Sequence, residues 1–124
     1  MNESRLFLGI GAVGGFFSVA LGAFAAHALQ NILSPGLLDV FHTGVQYQAI
    51  HSLALLAVGL MMERQARPPL RLAGWAFASG ILLFSGSLYI LATTDISWMG
   101  VVTPFGGLAF LLGWGSLTWS LLRN

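Results

Sequence analysis

Four long apolar stretches separated by short polar breaks run along the chain. The first extends from Leu6 to about Leu29. The second extends from about Leu37 to Met62, with Asp39, His42, Gln46, Gln48 and His51 set into its front half. The third runs from Leu72 to Ala92, and the fourth from near Thr103-Pro104 to Leu122, with Trp98 and Met99 available to extend it. A helix of about 20 residues rising 1.5 Å per residue crosses a hydrocarbon core of about 30 Å, so each stretch is long enough to span. The pattern predicts an all-α membrane protein with four transmembrane helices, over about 6–30, 36–62, 70–92 and 100–122, forming one antiparallel up-down bundle from residues 1–124.

The breaks carry helix-start chemistry. Ser34-Pro35 reads as an N-cap followed by a proline at the first helical position, where its missing N–H costs nothing, and Thr103-Pro104 repeats the signal. Pro68-Pro69 falls inside the one charged run, 63–71, and predicts the loop between the second and third helices.

Composition agrees with the pattern: 56% of the 124 residues are hydrophobic and 7% charged, too few charges to coat a water-soluble surface. Charge then sets orientation. Arg5, Arg64, Arg67, Arg71 and Arg123 all fall on one side of a four-crossing topology, while Asp39 and Asp95 belong to the other. The positive-inside rule predicts that both termini are cytoplasmic, and Trp98 and Trp119 suit the two interfaces. Arg5, the apolar run and Ala23-Phe24-Ala25 imitate a cleavable leader, but the run exceeds the usual 7–15 residues, so the first helix is expected to stay. With a net charge of +1 there is no basic face for nucleic acid, and the absence of cysteine removes disulfides, thiolate metal sites and thiol nucleophiles.

Helix one carries Gly14, Ser18, Gly22 and Ala26 at four-residue spacing, with Gly11 and Gly15 as a second pair. Lipid tails are as apolar as leucine, so helices in a bilayer associate by close packing, and a stripe of small residues lets backbones approach. The stripe predicts a packing face, toward a neighbouring helix of the same chain or toward a second copy in a homo-oligomer. Gly106, Gly107 and Gly113, with Ala76 and Gly80, read the same way.

Folding the helices as hairpins places the polar residues by depth. His27 falls level with Val40 to His42, Gln46 to Gln48 fall beside Ser85 to Ser87, Gly86 falls level with Gly107, and Tyr89 with Pro104. The uncharged polar groups therefore gather in the half of the membrane away from the arginines. At about 100° per residue, Asp39, His42 and Gln46 share one face of helix two, Thr43, Tyr47 and His51 form an adjacent row, and His51 is about 180° from His42. His51 is the sharpest candidate, being ionisable and close to mid-membrane. Such residues mark functional sites, with a neutral imidazole that locks helix packing as the plainer reading. His27, His42 and Asp39 make a weak metal constellation, since zinc takes three or four close protein ligands, so no metal or other cofactor is expected.

Residues 22–29, 43–51, 83–89 and 103–107, reading GAFAAHAL, TGVQYQAIH, LFSGSLY and TPFGG, together resemble the four-helix inner-membrane family called domain of unknown function 423, the YgdD- and YwdK-like proteins with the similar eukaryotic transmembrane protein 256. The resemblance implies four transmembrane helices, a bacterial inner-membrane location and no established activity. Matched residue by residue, it implies that the family's polar motif falls on His27, Thr43, Tyr47, Gln48, His51, Ser85, Ser87, Tyr89 and Thr103, and leaves His42 outside. The expectation is a non-enzymatic protein in the lipid bilayer, with a small hydrated pocket or conduit for an ion, proton or small solute. The alternatives are a haem or metal protein using His27 and His51, and an accessory subunit of a larger membrane complex. Enzymatic chemistry finds no acidic pair, nucleophile elbow or phosphate-cradling loop.

Overall fold

A computed structural model describes residues 1–123. Helix α1 covers Glu3–His27 and is followed by a 3₁₀ turn at Leu29–Asn31. Helix α2 covers Pro35–Arg64. The third crossing is α3, Pro68–Gly80, a π-helical stretch at Ile81–Ser85, and α4, Gly86–Thr94. Helix α5, Met99–Leu122, is the fourth crossing. The four spans, 29, 30, 27 and 24 residues long, are each apolar and long enough to cross a bilayer, and no strand occurs among the described residues. The four-helix membrane fold read from the pattern is the fold observed.

Local chemistry explains most of the boundaries. Asn2 caps α1 by accepting from the Arg5 backbone N–H at 2.9 Å, and Ser34 caps α2 by accepting from that of Leu37 at 3.3 Å. Asp95 ends the third crossing in the left-handed region at φ 56°, a conformation that Asp tolerates better than most residues. Two starts differ from expectation. Pro68 and Pro69 open α3 instead of lying in the loop, which shrinks to 65–67, because the first turn of a helix asks for no intrahelical N–H bond. Thr103-Pro104 is not a start: α5 begins at Met99 and runs through Pro104. The proline removes one bond near the end of the helix, and the Thr103 hydroxyl turns back to the Met99 carbonyl at 3.3 Å.

The helices form a layered row. Helix α1 lies along α2, the third crossing lies between α2 and α5, and α1 and α5 take opposite flanks. The small-residue stripe is spent inside the chain. A methyl group built on Gly14 would overlap the Ser52 hydroxyl, and one on Gly22 would touch Val45, whereas Gly15 and Ala26 face outward. Gly106 of α5 sits directly on the Phe84 backbone, while Gly107 meets only the edge of the Phe84 ring at 3.9 Å. The third and fourth crossings are displaced by about one turn from the predicted level, with Ser87 beside Thr103 and Phe84 beside Gly106.

Two apolar clusters fill the interior. One, toward the arginine end, holds Phe7, Leu55, Val58, Phe77 and Phe110, and the other holds Ala25, Leu29, Phe41 and Ala92. Adjacent glycines on α5 separate packing from propensity. Gly106→Ala should cost about 1–3 kcal/mol by forcing α5 off Phe84, and Gly107→Ala should be neutral or stabilising. Unfolding of both variants in detergent micelles checks this, and equal losses would refute the assigned contact.

Candidate functional site

Between the two apolar clusters lies a belt of polar side chains whose hydrogen bonds stay within the protein. It begins at the Gly14 carbonyl of α1, which is approachable because Gly14 has no side chain. That oxygen accepts from the Ser18 hydroxyl and from the Gln48 amide of α2, both at 2.8 Å. The other end of the Gln48 amide accepts from the Tyr89 hydroxyl of α4 at 2.6 Å. One glutamine thus ties three crossings together. Ser85, fully buried, donates to the Gly44 carbonyl of α2 at 2.7 Å, and Gly44 makes room for the Tyr89 ring. Ser87 and Thr103 pair at 2.6 Å and also reach the Phe84 and Met99 carbonyls, which joins the third crossing to α5.

His51 sits at one edge of this belt, about halfway along α2, with 3% of its surface exposed. Its Nδ1 lies 2.7 Å from the Tyr47 carbonyl and its Nε2 lies 3.0 Å from the Trp114 indole nitrogen. A carbonyl only accepts and an indole N–H only donates, so the ring fits these partners as the neutral Nδ1–H tautomer alone. The ring lies flat on Phe110, centroids 3.5 Å apart at 10°, with Trp114 edge-on at 5.8 Å and Phe77 at 5.6 Å. Tyr47 lies parallel at 5.9 Å and packs on Phe84 at 4.6 Å. α2, the third crossing and α5 together build an aromatic box around one imidazole.

A cavity of about 420 Å³ adjoins this box, lined by Gln46, Tyr47, Phe84, Gly107, Phe110 and Trp114 among others. Gln46, Tyr47 and Trp114 are exposed on the flank, so it opens sideways between α2 and α5. The Tyr47 hydroxyl and the Gln46 amide take no part in the belt and are the donors at its mouth.

The predicted site residues divide into three sets. Gln48, Ser85, Ser87, Tyr89 and Thr103 join the belt, and Tyr47 and His51 join the aromatic box. His27 and Thr43 join neither. His27 stands exposed in the last turn of α1, and Thr43 spends its hydroxyl on the Asp39 carbonyl of its own helix at 3.0 Å. His27 and His51 therefore do not form a pair. Both ring nitrogens of His51 are engaged, and among the described residues no three His, Cys, Asp or Glu side chains group closely enough to hold a metal. The sequence reading missed Phe110 and Trp114. Four-residue spacing in Tyr47 and His51 and in Phe110 and Trp114, with seven-residue spacing in Phe77 and Phe84, is the signal that marks them.

The belt predicts coupled losses. Tyr89→Phe and Gln48→Leu should each destabilise the bundle, with a coupling energy of about 0.6 to 1.7 kcal/mol, as for interhelical hydrogen bonds in membranes. A double-mutant cycle in micelles measures it, and additive losses would show that the two side chains do not act as a unit.

Comparison with known proteins extends the motif resemblance over the chain. Residues 21–107 match the family described as "Protein of unknown function (DUF423)", a segment that contains most of the belt but stops short of Phe110 and Trp114. The UPF0382 membrane protein of Haemophilus influenzae is 44% identical over 119 residues, covering 95% of this chain and 94% of that protein. The UPF0382 membrane protein YwdK of Bacillus subtilis is 43% identical over 111 residues, 89% of this chain and 90% of that protein. The UPF0382 inner membrane protein YgdD of Escherichia coli is 39% identical over 120 residues, 97% and 92% respectively. No solved structure matches the chain. On the matched segment and on relatives aligned over nearly their whole length, this integral membrane protein belongs to the DUF423 family.

Proposed function

We propose that the protein is a non-enzymatic binding protein of the bacterial inner membrane whose side cavity takes one small lipid-soluble molecule carrying hydrogen-bond acceptors. The observation that carries the reading is the wall of that cavity: a buried imidazole fixed between Tyr47 and Trp114, beside about 420 Å³ of space that opens toward the bilayer. The lining is mostly aromatic, which suits a flat apolar body, and the Tyr47 hydroxyl and Gln46 amide supply donors for its polar end. The same geometry favours a pocket over a conduit. Gln48, Ser85, Ser87, Tyr89 and Thr103 satisfy one another or backbone carbonyls, and among the described residues the buried hydroxyls left without a partner, Ser52 and Ser120, stand apart and make no continuous file across the bundle.

A short-chain benzoquinone, flat and lipid-soluble with carbonyl acceptors, serves as the probe in nanodiscs. It should quench tryptophan fluorescence saturably in the parent protein and only collisionally in Gly107→Leu, which fills the cavity where a side chain meets little else. Collisional quenching in both would reject the pocket. Liposomes containing the protein should conduct protons no faster than empty ones, and flux abolished by His51→Ala would favour the conduit instead.

The arginine-rich end, with both termini, faces the cytoplasm in this reading. The chain has no cysteine, so single replacements report sidedness directly. In intact spheroplasts an impermeant maleimide should label Ser97→Cys at once and Gln65→Cys only after permeabilisation, and the reverse order would invert the topology.

A further inference from the structure

A second groove, far along α5 from the belt, is left unexplained by this reading. It has a volume of about 540 Å³ and runs between α3 and α5 at the arginine end, lined by Pro68, Pro69, Leu72, Leu111, Gly115 and Trp119 among others. Its walls are almost wholly apolar, but its end is not. The Arg123 guanidinium lies 4.9 Å over the Trp119 ring, which is itself part of the wall. Arg67, the residue before Pro68, reaches across to the Ser120 and Arg123 carbonyls at 2.5 and 2.8 Å. Two guanidinium groups are thereby held at one mouth. Among the described residues neither meets a carboxylate: the one ion pair joins Arg71 to Glu3, and the partners of Arg67 are carbonyls.

The occupant has to match both parts. Hydrocarbon walls give a free inorganic anion nothing to replace its hydration, whereas an acyl chain buries its surface there. The charged mouth calls for a negative group at one end of that chain. The start of α3 cannot supply the donors, because Pro68 and Pro69 have no N–H, so recognition of the anion falls to the arginines. We infer that this groove seats an acyl chain of one anionic phospholipid from the leaflet at the arginine end, with its phosphate held by the exposed Arg123 and the half-buried charge of Arg67 behind it adding to the positive potential there. The two features coincide because the loop at 65–67 is short: it brings Arg67 onto the end of α5 and starts α3 beside it.

The test is lipid retention counted by native mass spectrometry, on protein incubated in detergent with equimolar phosphatidylglycerol and phosphatidylcholine. The parent protein should keep one phosphatidylglycerol per chain in preference to phosphatidylcholine. Gly115→Leu should lose the retained lipid, since a side chain at Gly115 points into space that no protein atom occupies within 4 Å. Arg123→Gln alters an exposed side chain and reads out independently of whether the groove variant folds. It should keep a lipid but lose about fivefold of the preference for the anionic headgroup, the effect of one arginine near a charged surface. Equal retention of the two lipids by the parent, or unchanged retention in Gly115→Leu, would overturn the inference. Displacement of the lipid by millimolar inorganic phosphate would reduce the site to an anion site. A lipid-free dimer that Gly115→Leu dissociates would assign the groove to a second copy of the chain.

Discussion

A hydroxyl or amide placed among lipid tails has no water to turn to, and leaving it unpaired costs several kcal/mol. That constraint organises this bundle more than any apolar contact does. Leucine gains little by moving from lipid to the protein interior, so the flanks are free to expose Phe16, Val19, Leu108 and Leu111, and they do. The side chains that must be inside are Gln48, Ser85, Ser87 and Tyr89. Each bridges to a different crossing from its own or closes a bond that does, and the three neighbouring helix pairs are therefore each fixed by a polar contact.

Small residues make those bonds reachable. Backbone carbonyls already serve their own helices, and they become second acceptors only where a neighbour can come close. Gly14 and Gly44 are such places, one receiving Gln48 and the other Ser85. The glycines of this chain thus do two jobs with one property: lacking a side chain, they let helices touch and leave their oxygens open to a donor from outside. A leucine at either position would close the approach and strand the donor, so the packing stripe and the polar belt are one device rather than two.

Much of this was legible in the sequence. Helix number, the Ser34-Pro35 start and the gathering of Tyr47, Gln48, His51, Ser85, Ser87 and Tyr89 all follow from apolar length, capping chemistry and hairpin depth. What escaped had physical reasons. Hairpin depth places residues along the membrane axis but not around it, so His27 and Thr43, polar and in motif, faced outward or inward to their own helix with equal claim. Thr103-Pro104 read as a second cap because it has the chemistry of one, and the helix that runs through this proline from Met99 is held by packing against the third crossing, which no local pattern encodes. Trp114 was passed over since a tryptophan deep in an apolar helix looks like core until its N–H is seen to need an acceptor.

The position of the side cavity follows from the same accounting. The third crossing is drawn onto α2 through Gly44 and onto α5 through Gly106, and the π-helical stretch between Gly80 and Gly86 lets it present Ser85 to one and Phe84 to the other. With that helix wedged between them, α2 and α5 stand apart and meet through long side chains: His51 reaches Trp114, and Tyr47 leans toward Phe110. Rings bridging two separated helices cannot fill the gap as backbones in contact would, and Gly107, one residue beyond the tight contact at Gly106, leaves the remainder open. Gly107 meets only the edge of the Phe84 ring, so its effect is to keep a space open beside the most constrained imidazole in the chain, and that space is what the proposed binding from the bilayer would use.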